Sequence, residues 1–383
     1  MSEYIVFGKP KIEEIEIQEV VNSLRSGWIG TGSKVNAFEK EIQRYKGSGH
    51  PVAVNSCTAA LHLSMLCSDL NKGDEVITTA LTFAATINSI IHAGLKPVIV
   101  DVDPITKNID PQAIRSSITA QTKALLIVHF AGYPCEMEEI LSICKDHNLK
   151  LIEDCAHAIE TKYHNKPAGT FGDFGCFSFY VTKNITTGEG GMILAKEKKT
   201  ANRCKVMALH GMSKDAWNRY SDNGYKHYQV IECGFKYNMI DLQASMGLHQ
   251  LKGIEKKWKR RQEIWAKYQE AFKELPIEKP ADIIDASSRH AYHLYTIQIS
   301  KIKKSKVSRD EFLNKMHQLD IGTGVHYLSI ADHPYYQKQF KWNPDNYPIA
   351  QRIGRTTASI PLSANLNEKQ VNRVINAVHS ILS

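Results

Sequence analysis

Lys183 lies in SFYVTKNITTGEGG, residues 178–191, on a turn between two strand-like runs and among Ser, Thr, Asn and Gly rather than on a charged face. A lone lysine is usually a solvated surface charge, but one held at a strand end in partly apolar surroundings has a lowered amine pKa and can act as a nucleophile. Gly188, Gly190 and Gly191 would let the backbone pass close to a ligand. Twenty-nine residues upstream, Asp154 ends the apolar run of IEDCAHA (152–158). A carboxylate at the end of a strand buried on both faces is costly unless it meets a cation or a proton donor, or caps the segment that follows. A third segment, VAVNSCTAALH (52–62), is a strand running into Asn, Ser and Thr at a helix start. Unpaired N–H groups and the positive end of the helix dipole make such a place a phosphate site; the plainer alternative is that Ser56 or Thr58 only caps the helix.

Together these segments supply a phosphate cradle, a strand-end Asp and a turn Lys, the parts needed to hold pyridoxal phosphate. The lysine would form the Schiff base, the Asp would keep the pyridinium nitrogen protonated, and the helix start would take the phosphate. Phe83, in TFAATINS just after another strand, would stack on the ring or belong to the core. Other motifs are missing: there is no GxGxxG after the first strand, no GxxxxGK[ST] and no HExxH, and GWIGTGSK has Val35 where a third glycine would fall. The eight cysteines contain no CxxC pair and no Cys/His spacing of a zinc site, so no metal is expected and the thiols read as reduced and cytoplasmic.

The elements that must position these groups follow a βα cadence. Strands are expected at 52–55, 75–80, 97–103, 123–132 and 149–155, with helices at 58–70, 84–94, near 111–118 and at 137–148, then two more strands at 175–180 and 190–195. In such folds ligands sit beyond the carboxyl ends of the strands. From residue 251 a single long helix, LKGIEKKWKRRQEIWAKYQEAFKEL, is expected to lead into a second unit with a strand at 290–300 and helices near 308–319 and 368–382. The chain of 383 residues, at about 150 per domain, suits two or three units, here a large cofactor domain over 1–250 and a smaller one over 251–383. With 43% hydrophobic and 23% charged residues it is neither disordered nor fibrous. Lys+Arg 48 against Asp+Glu 40 is a mild excess that does not indicate nucleic acid. The first residues show no export signal and no stretch is long enough to span a membrane, so a cytoplasmic enzyme is expected.

The pieces SGWIGTG, NSCTAALHL, GDEVIT, TFAATINS, PVIVDVD, IEDCAHA, FSFYVTKNITTGEGGM, GFKYNMIDLQASMGLHQL and GTGVHY (322–327) closely resemble the DegT/DnrJ/EryC1/StrS family of sugar aminotransferases, over essentially the whole length. The resemblance implies fold type I, a large mixed-sheet α/β/α domain with a smaller C-terminal α/β domain. It also implies pyridoxal 5'-phosphate as cofactor, with a pyridoxamine phosphate intermediate. Carried over by position, Lys183 is the Schiff-base lysine, Asp154 the partner of the ring nitrogen, His157 a contact to the ring, Phe83 the stacking aromatic, and Thr58, Ala59 and Ser178 the phosphate ligands. The resemblance also implies an obligate homodimer with shared active sites, Lys236 or Asn238 reaching into the neighbour. Trp28, Tyr180, Arg219, His326 and His333 are candidate substrate contacts, with the run KKWKRR (256–261) as a further source of positive charge or simply a solvated helix face.

Three departures bear on the substrate: Cys57 where Gly or Ala is commoner, Tyr180 where His is common, and KYN for the frequent NYR. Family members that dehydrate sugars carry His in place of the lysine, and members acting at C3 tend to read GALGDAG after it, whereas TTGEGGM is similar to the C4 group. The expected reaction moves an amino group from an amino acid, with L-glutamate giving 2-oxoglutarate, to C4 of a nucleotide-linked 4-keto sugar, in amino-sugar or lipopolysaccharide synthesis; a UDP-4-keto-pentose fits first. The alternatives are another keto position, a dTDP-4-keto-6-deoxyhexose, or a non-catalytic regulatory relative.

Overall fold

The structure is a computed structural model that describes residues 3–213, 228–283, 285–299 and 305–383. Its frame is a seven-stranded sheet of β1 (His50–Val54), β2 (Glu75–Thr79), β3 (Lys96–Val100), β4 (Thr122–Val128), β5 (Lys150–Asp154), β8 (Phe174–Ser178) and β9 (Gly191–Ala195), in the order β1-β9-β8-β5-β4-β2-β3. The small hairpin β6 (Lys162–Tyr163) and β7 (Lys166–Pro167) lies outside it. The pairs from β8 through β5, β4 and β2 to β3 are parallel, and β9 runs antiparallel to both its neighbours.

Helices cover both faces, which is why the central strands read as continuous apolar runs. On β4, Ala124 and Leu126 join the cluster of α3 (Cys57–Leu66), while Leu125 and Ile127 join that of Ile114 and Ile140 on the opposite face. Those two residues belong to the helices of the second layer, Pro111–Ser117 and Met137–His147. Helices Glu14–Ser26 and Ser33–Lys46, before the sheet, pack against Asp241–Lys252, where Gln250 donates to the buried Glu16.

A second core gathers Trp265, Tyr268, Phe272, Phe312, Val374 and Val378 around the two-stranded sheet of β10 (Tyr295–Gln298) and β11 (Thr357–Ile360). Ile5 is part of it, its N–H bonded to Asp320 O at 2.8 Å. Two expectations need correction. The helix expected from residue 251 is two helices, Asp241–Lys252 and Ile254–Ala271, hinged at Gly253. The strand expected over 290–300 keeps four residues. Tyr292 stands at φ 50°, and the amides of Ala291 and His293 are drawn to Gly132 and Ala131 instead of a strand partner. Among the described residues no helix is long and apolar enough to cross a membrane.

Candidate active site

A cavity of about 470 Å³ opens beyond the carboxyl ends of β2, β4, β5 and β8. Its floor carries Val128, Asp154 and Ser178, the last residues of three of those strands, and its walls include Thr58, Phe83, His157, Tyr180, Lys183 and His326.

At one end, α3 begins. Ser56 is the N-cap, accepting from the Ala59 N–H at 3.1 Å, and its carbonyl takes the Ala60 N–H. The amides of Cys57 and Thr58 donate to no described residue, so they are the pair left for an anion. Ala59 itself is buried behind them and does not reach the wall. Gly191 lets β9 pass against this turn, since a Cβ there would sit 2.4 Å from the Ser56 backbone. Cys57 fills the position where a smaller residue was expected, and burial raises its thiol pKa well above the usual value, with Asp154 adding to the rise.

Asp154 is 5% exposed. Thr86 Oγ1 donates to one carboxylate oxygen at 2.9 Å and the Ala156 N–H to the other at 3.1 Å, but no described cation forms an ion pair with it. Burial raises its pKa, resisted by those two hydrogen bonds and by Lys183. Lys183 is half-buried on the twelve-residue connection between β8 and β9, its N–H bonded to Tyr180 O at 2.9 Å. Burial brings its amine down to about 8, against the raising effect of Cys57 and Asp154. Gly188, at φ 79°, turns this connection back toward β9.

An amine brought down to a pKa of about 8, a buried carboxylate lacking a cation and a free helix N-terminus are what an aldehyde, a protonated ring nitrogen and a phosphate require. The donor set therefore fits pyridoxal phosphate.

His157 Nδ1 accepts the Ala131 N–H at 3.2 Å, so in the neutral ring Nε2 carries the proton and donates to Tyr327 Oη, 3.1 Å away. Burial, then Lys183, His293 and His326, hold His157 well below its ordinary pKa, which keeps it neutral. His326 is lowered to about 4, mainly by burial, and its Nδ1 lies 2.8 Å from Ser359 Oγ while its ring stacks on Phe7. Phe83 is 60% exposed on the cavity wall, with Tyr327 5.8 Å away between ring centroids. Thr86, His293 and Tyr327 were not singled out from the sequence. Tyr327 ends the quoted GTGVHY, but nothing local marks Thr86 or His293.

Other expected residues are elsewhere in this chain. Trp28 is half-exposed with its indole N–H on Thr31 O, and His333 precedes the helix Pro334–Phe340; neither lines the cavity. Lys236 is exposed, while Asn238 donates to Thr31 Oγ1 at 2.7 Å and keeps a buried Oδ1 without a partner. Both are away from this cavity. Arg219 lies outside the described residues. The run KKWKRR is no solvated face throughout: Lys257 and Arg261 are buried, pairing with Glu16 and Glu160.

The model of the DegT/DnrJ/EryC1/StrS aminotransferase family matches residues 10–379. The chain is 45% identical to the spore coat polysaccharide biosynthesis protein SpsC of Bacillus subtilis over 381 residues, covering 99% of this chain and 97% of that one. Among solved structures, Spr1654 of Streptococcus pneumoniae, assigned as a sugar aminotransferase and solved in PMP- and PLP-forms, superposes in its PMP-form with a TM-score of 0.90 at 30% identity, covering 99% of this chain and 97% of that one. PseC of Helicobacter pylori, an aminotransferase of pseudoaminic acid biosynthesis, gives 0.91 at 27% identity, covering 100% and 99%. The fold is therefore type I, and enzymes of this kind depend on pyridoxal phosphate. With the family match spanning nearly all of the sequence and the cavity holding the groups its chemistry needs, the chain belongs to the DegT/DnrJ/EryC1/StrS family and is a PLP-dependent sugar aminotransferase.

Proposed function

We propose that this enzyme moves an amino group from L-glutamate to C4 of a nucleotide-linked 4-keto sugar, with a UDP-linked 4-keto-pentose as the first substrate to test and a dTDP-linked 4-keto-6-deoxyhexose as the second. The observation that carries the reading is Lys183 and the cation-free Asp154 on one cavity. The C4 position and the sugar are supported by the TTGEGGM, GFKYNM and GTGVHY segments.

In this reading Lys183 Nζ holds the cofactor covalently, the Asp154 carboxylate faces its ring nitrogen, and the Cys57 and Thr58 amides with Ser178 face its phosphate. His157 and Phe83 line the ring. When bound, pyridoxal phosphate supplies an electron sink for the carbanion formed at the carbon bearing nitrogen. Once displaced by the donor amine, Lys183 Nζ takes the proton from the donor Cα, and it returns a proton at sugar C4 in the second half of the cycle. An amine lowered to about 8 has enough neutral form near pH 7 to 8 for that work, where an ordinary lysine has almost none. Asp154 holds the ring-nitrogen proton through the electrostatic preference of a buried carboxylate for a cation.

The same reading divides the chain into a cofactor unit, 1–250, and a smaller unit, 251–383, with Ile5 strapped to the latter, and it makes the enzyme a homodimer in which Lys236 or Asn238 serves the neighbouring cavity. The remaining substrate candidates divide in the same way. Tyr180, 44% exposed on the wall, and His326 would meet the sugar, while Trp28 would act from outside this cavity.

Glutamate-dependent amination across a panel of UDP- and dTDP-linked 4-keto sugars tests the proposal. Turnover of a 4-keto sugar with product nitrogen at C4 is expected; an enzyme that reacts with glutamate but aminates no 4-keto sugar of the panel would overturn it.

A further inference from the structure

His293 lines the cavity, yet its Nδ1 is turned away, 3.0 Å from Asn184 Oδ1. The Asn184 amide can be oriented in only one way. Its nitrogen lies 2.8 Å from Glu160 Oε2 and 3.0 Å from Ala291 O, and both of those atoms are acceptors. Glu160 is buried and paired with the buried Arg261, which also contacts Ala291 O. Asn184 therefore presents its carbonyl oxygen to His293, and a carbonyl oxygen only accepts. His293 Nδ1 must carry the hydrogen.

Burial, then the neighbouring Lys183, His326, Arg261 and His290, hold His293 well below its ordinary pKa, so the ring is neutral. A neutral ring with hydrogen on Nδ1 has a bare lone pair on Nε2, and that atom has no hydrogen-bond partner among the described residues. The ring of His157, 4.4 Å away between centroids, has the opposite tautomer, with its Nε2 hydrogen spent on Tyr327. Tyr327 accepts that hydrogen and keeps its own for another acceptor. The wall thus carries a fixed acceptor at His293 and a fixed donor at Tyr327.

We propose that His293 Nε2 accepts a hydrogen bond from a hydroxyl of the sugar, and that Asn184, anchored by the Glu160–Arg261 pair, is the positioning residue that sets this tautomer. The inference deepens the transaminase reading of the cavity and rests on it. A sugar fits better than the amino donor. The donor's one hydrogen-bonding amine beside the reacting carbon is consumed in forming the bond to the cofactor, whereas a sugar keeps its hydroxyls through the reaction. A site that hydrogen-bonds a hydroxyl through a buried acceptor also discriminates strongly against a ligand lacking it.

Two measurements on the full chain test this. In nitrogen-15 NMR with labelled histidine, the signal lost in His293→Gln should report a protonated Nδ1 and a bare Nε2, and Asn184→Leu should mix or invert that tautomer. A protonated Nε2 in the unaltered chain overturns the proposal. In single turnovers of the cofactor-loaded enzyme, L-glutamate reports the first half-reaction and a UDP-linked 4-keto-pentose the second. His293→Gln should lower the rate of the sugar half relative to the glutamate half by roughly 10-fold or more, and Asn184→Leu should do so in the same direction. An unchanged ratio in an enzyme whose unaltered form aminates the sugar overturns the role of His293 alone. An unaltered enzyme that reacts with glutamate but with no 4-keto sugar overturns the proposed function and the sugar contact together.

Discussion

Glu153 and Asp154 are consecutive residues of β5, both buried, and strand alternation sends them to opposite faces of the sheet. Glu153 is saturated. His129 Nε2 lies 3.1 Å from one of its oxygens, the Gly169 N–H donates to the same oxygen at 2.7 Å, and the Phe171 and Gly172 amides donate to the other at 2.8 Å. Burial alone would raise its pKa, but the His129 bond and these amides outweigh it and the carboxyl sits below its usual range. Asp154 has two donors, a raised pKa and an open side toward the cavity. A buried acid completed by its own fold is a structural device, while one left a partner short is built to receive a ligand.

The sharpest break in the functional face is Lys183→Ala. Transamination should fall by about 10³-fold or more, because the proposed function gives one amine both linkage and proton transfer, while the circular dichroism spectrum and the thermal unfolding transition remain. Substantial turnover by that variant would remove Lys183 from the chemistry. Asp154→Asn should lower turnover by roughly 10²–10³-fold yet raise the melting temperature of the cofactor-free chain at neutral pH.

The sign of that second effect follows from linkage. A carboxyl whose folded pKa is raised above its unfolded value contributes stability below the unfolded pKa and loses it as pH rises through the folded one, so the ionised Asp154 opposes folding at neutral pH. Thr86 Oγ1 can exchange donor for acceptor and satisfy an amide in the same place.

The opposite face should answer in the opposite sense. Glu153→Gln replaces an acceptor-only group by one carrying N–H donors that face backbone amides, and should cost about 2–4 kcal/mol of stability in denaturant titration. With its folded pKa lowered, the stability Glu153 contributes is present above the unfolded pKa and lost as pH falls through the folded value. If both variants shift stability in the same direction, the contrast between the faces is wrong. The smallest effect is kinetic: cofactor capture requires neutral Lys183, so its rate in stopped-flow absorbance should rise about tenfold per pH unit below the amine pKa of about 8 and level off above it.

The placement of Lys183, Asp154 and the start of α3 at strand ends around one cavity was legible because each depends on a short local signal: a polar turn between strands, a charge ending an apolar run, a strand feeding Ser and Thr. The central strands were legible for the same reason. What escaped depends on pairs distant in sequence. Thr86 reaches Asp154 across 68 positions and Asn184 reaches His293 across 109, and neither end announces its partner. The charged run at 256–261 misled in a related way, since Arg261 is neutralised by Glu160, 101 positions away. Gly253 could have been read as a break in the long helix, but a single glycine within a helical pattern is often tolerated; here it separates two helices with different packing partners.

The most direct test of Lys183 as the amine that holds the cofactor is reduction of the pyridoxal phosphate-loaded enzyme with borohydride, followed by peptide mapping. Absorbance near the visible edge should be lost and the cofactor should be found on the peptide containing Lys183; a labelled peptide lacking Lys183, or no covalent label at all, would remove Lys183 from that role.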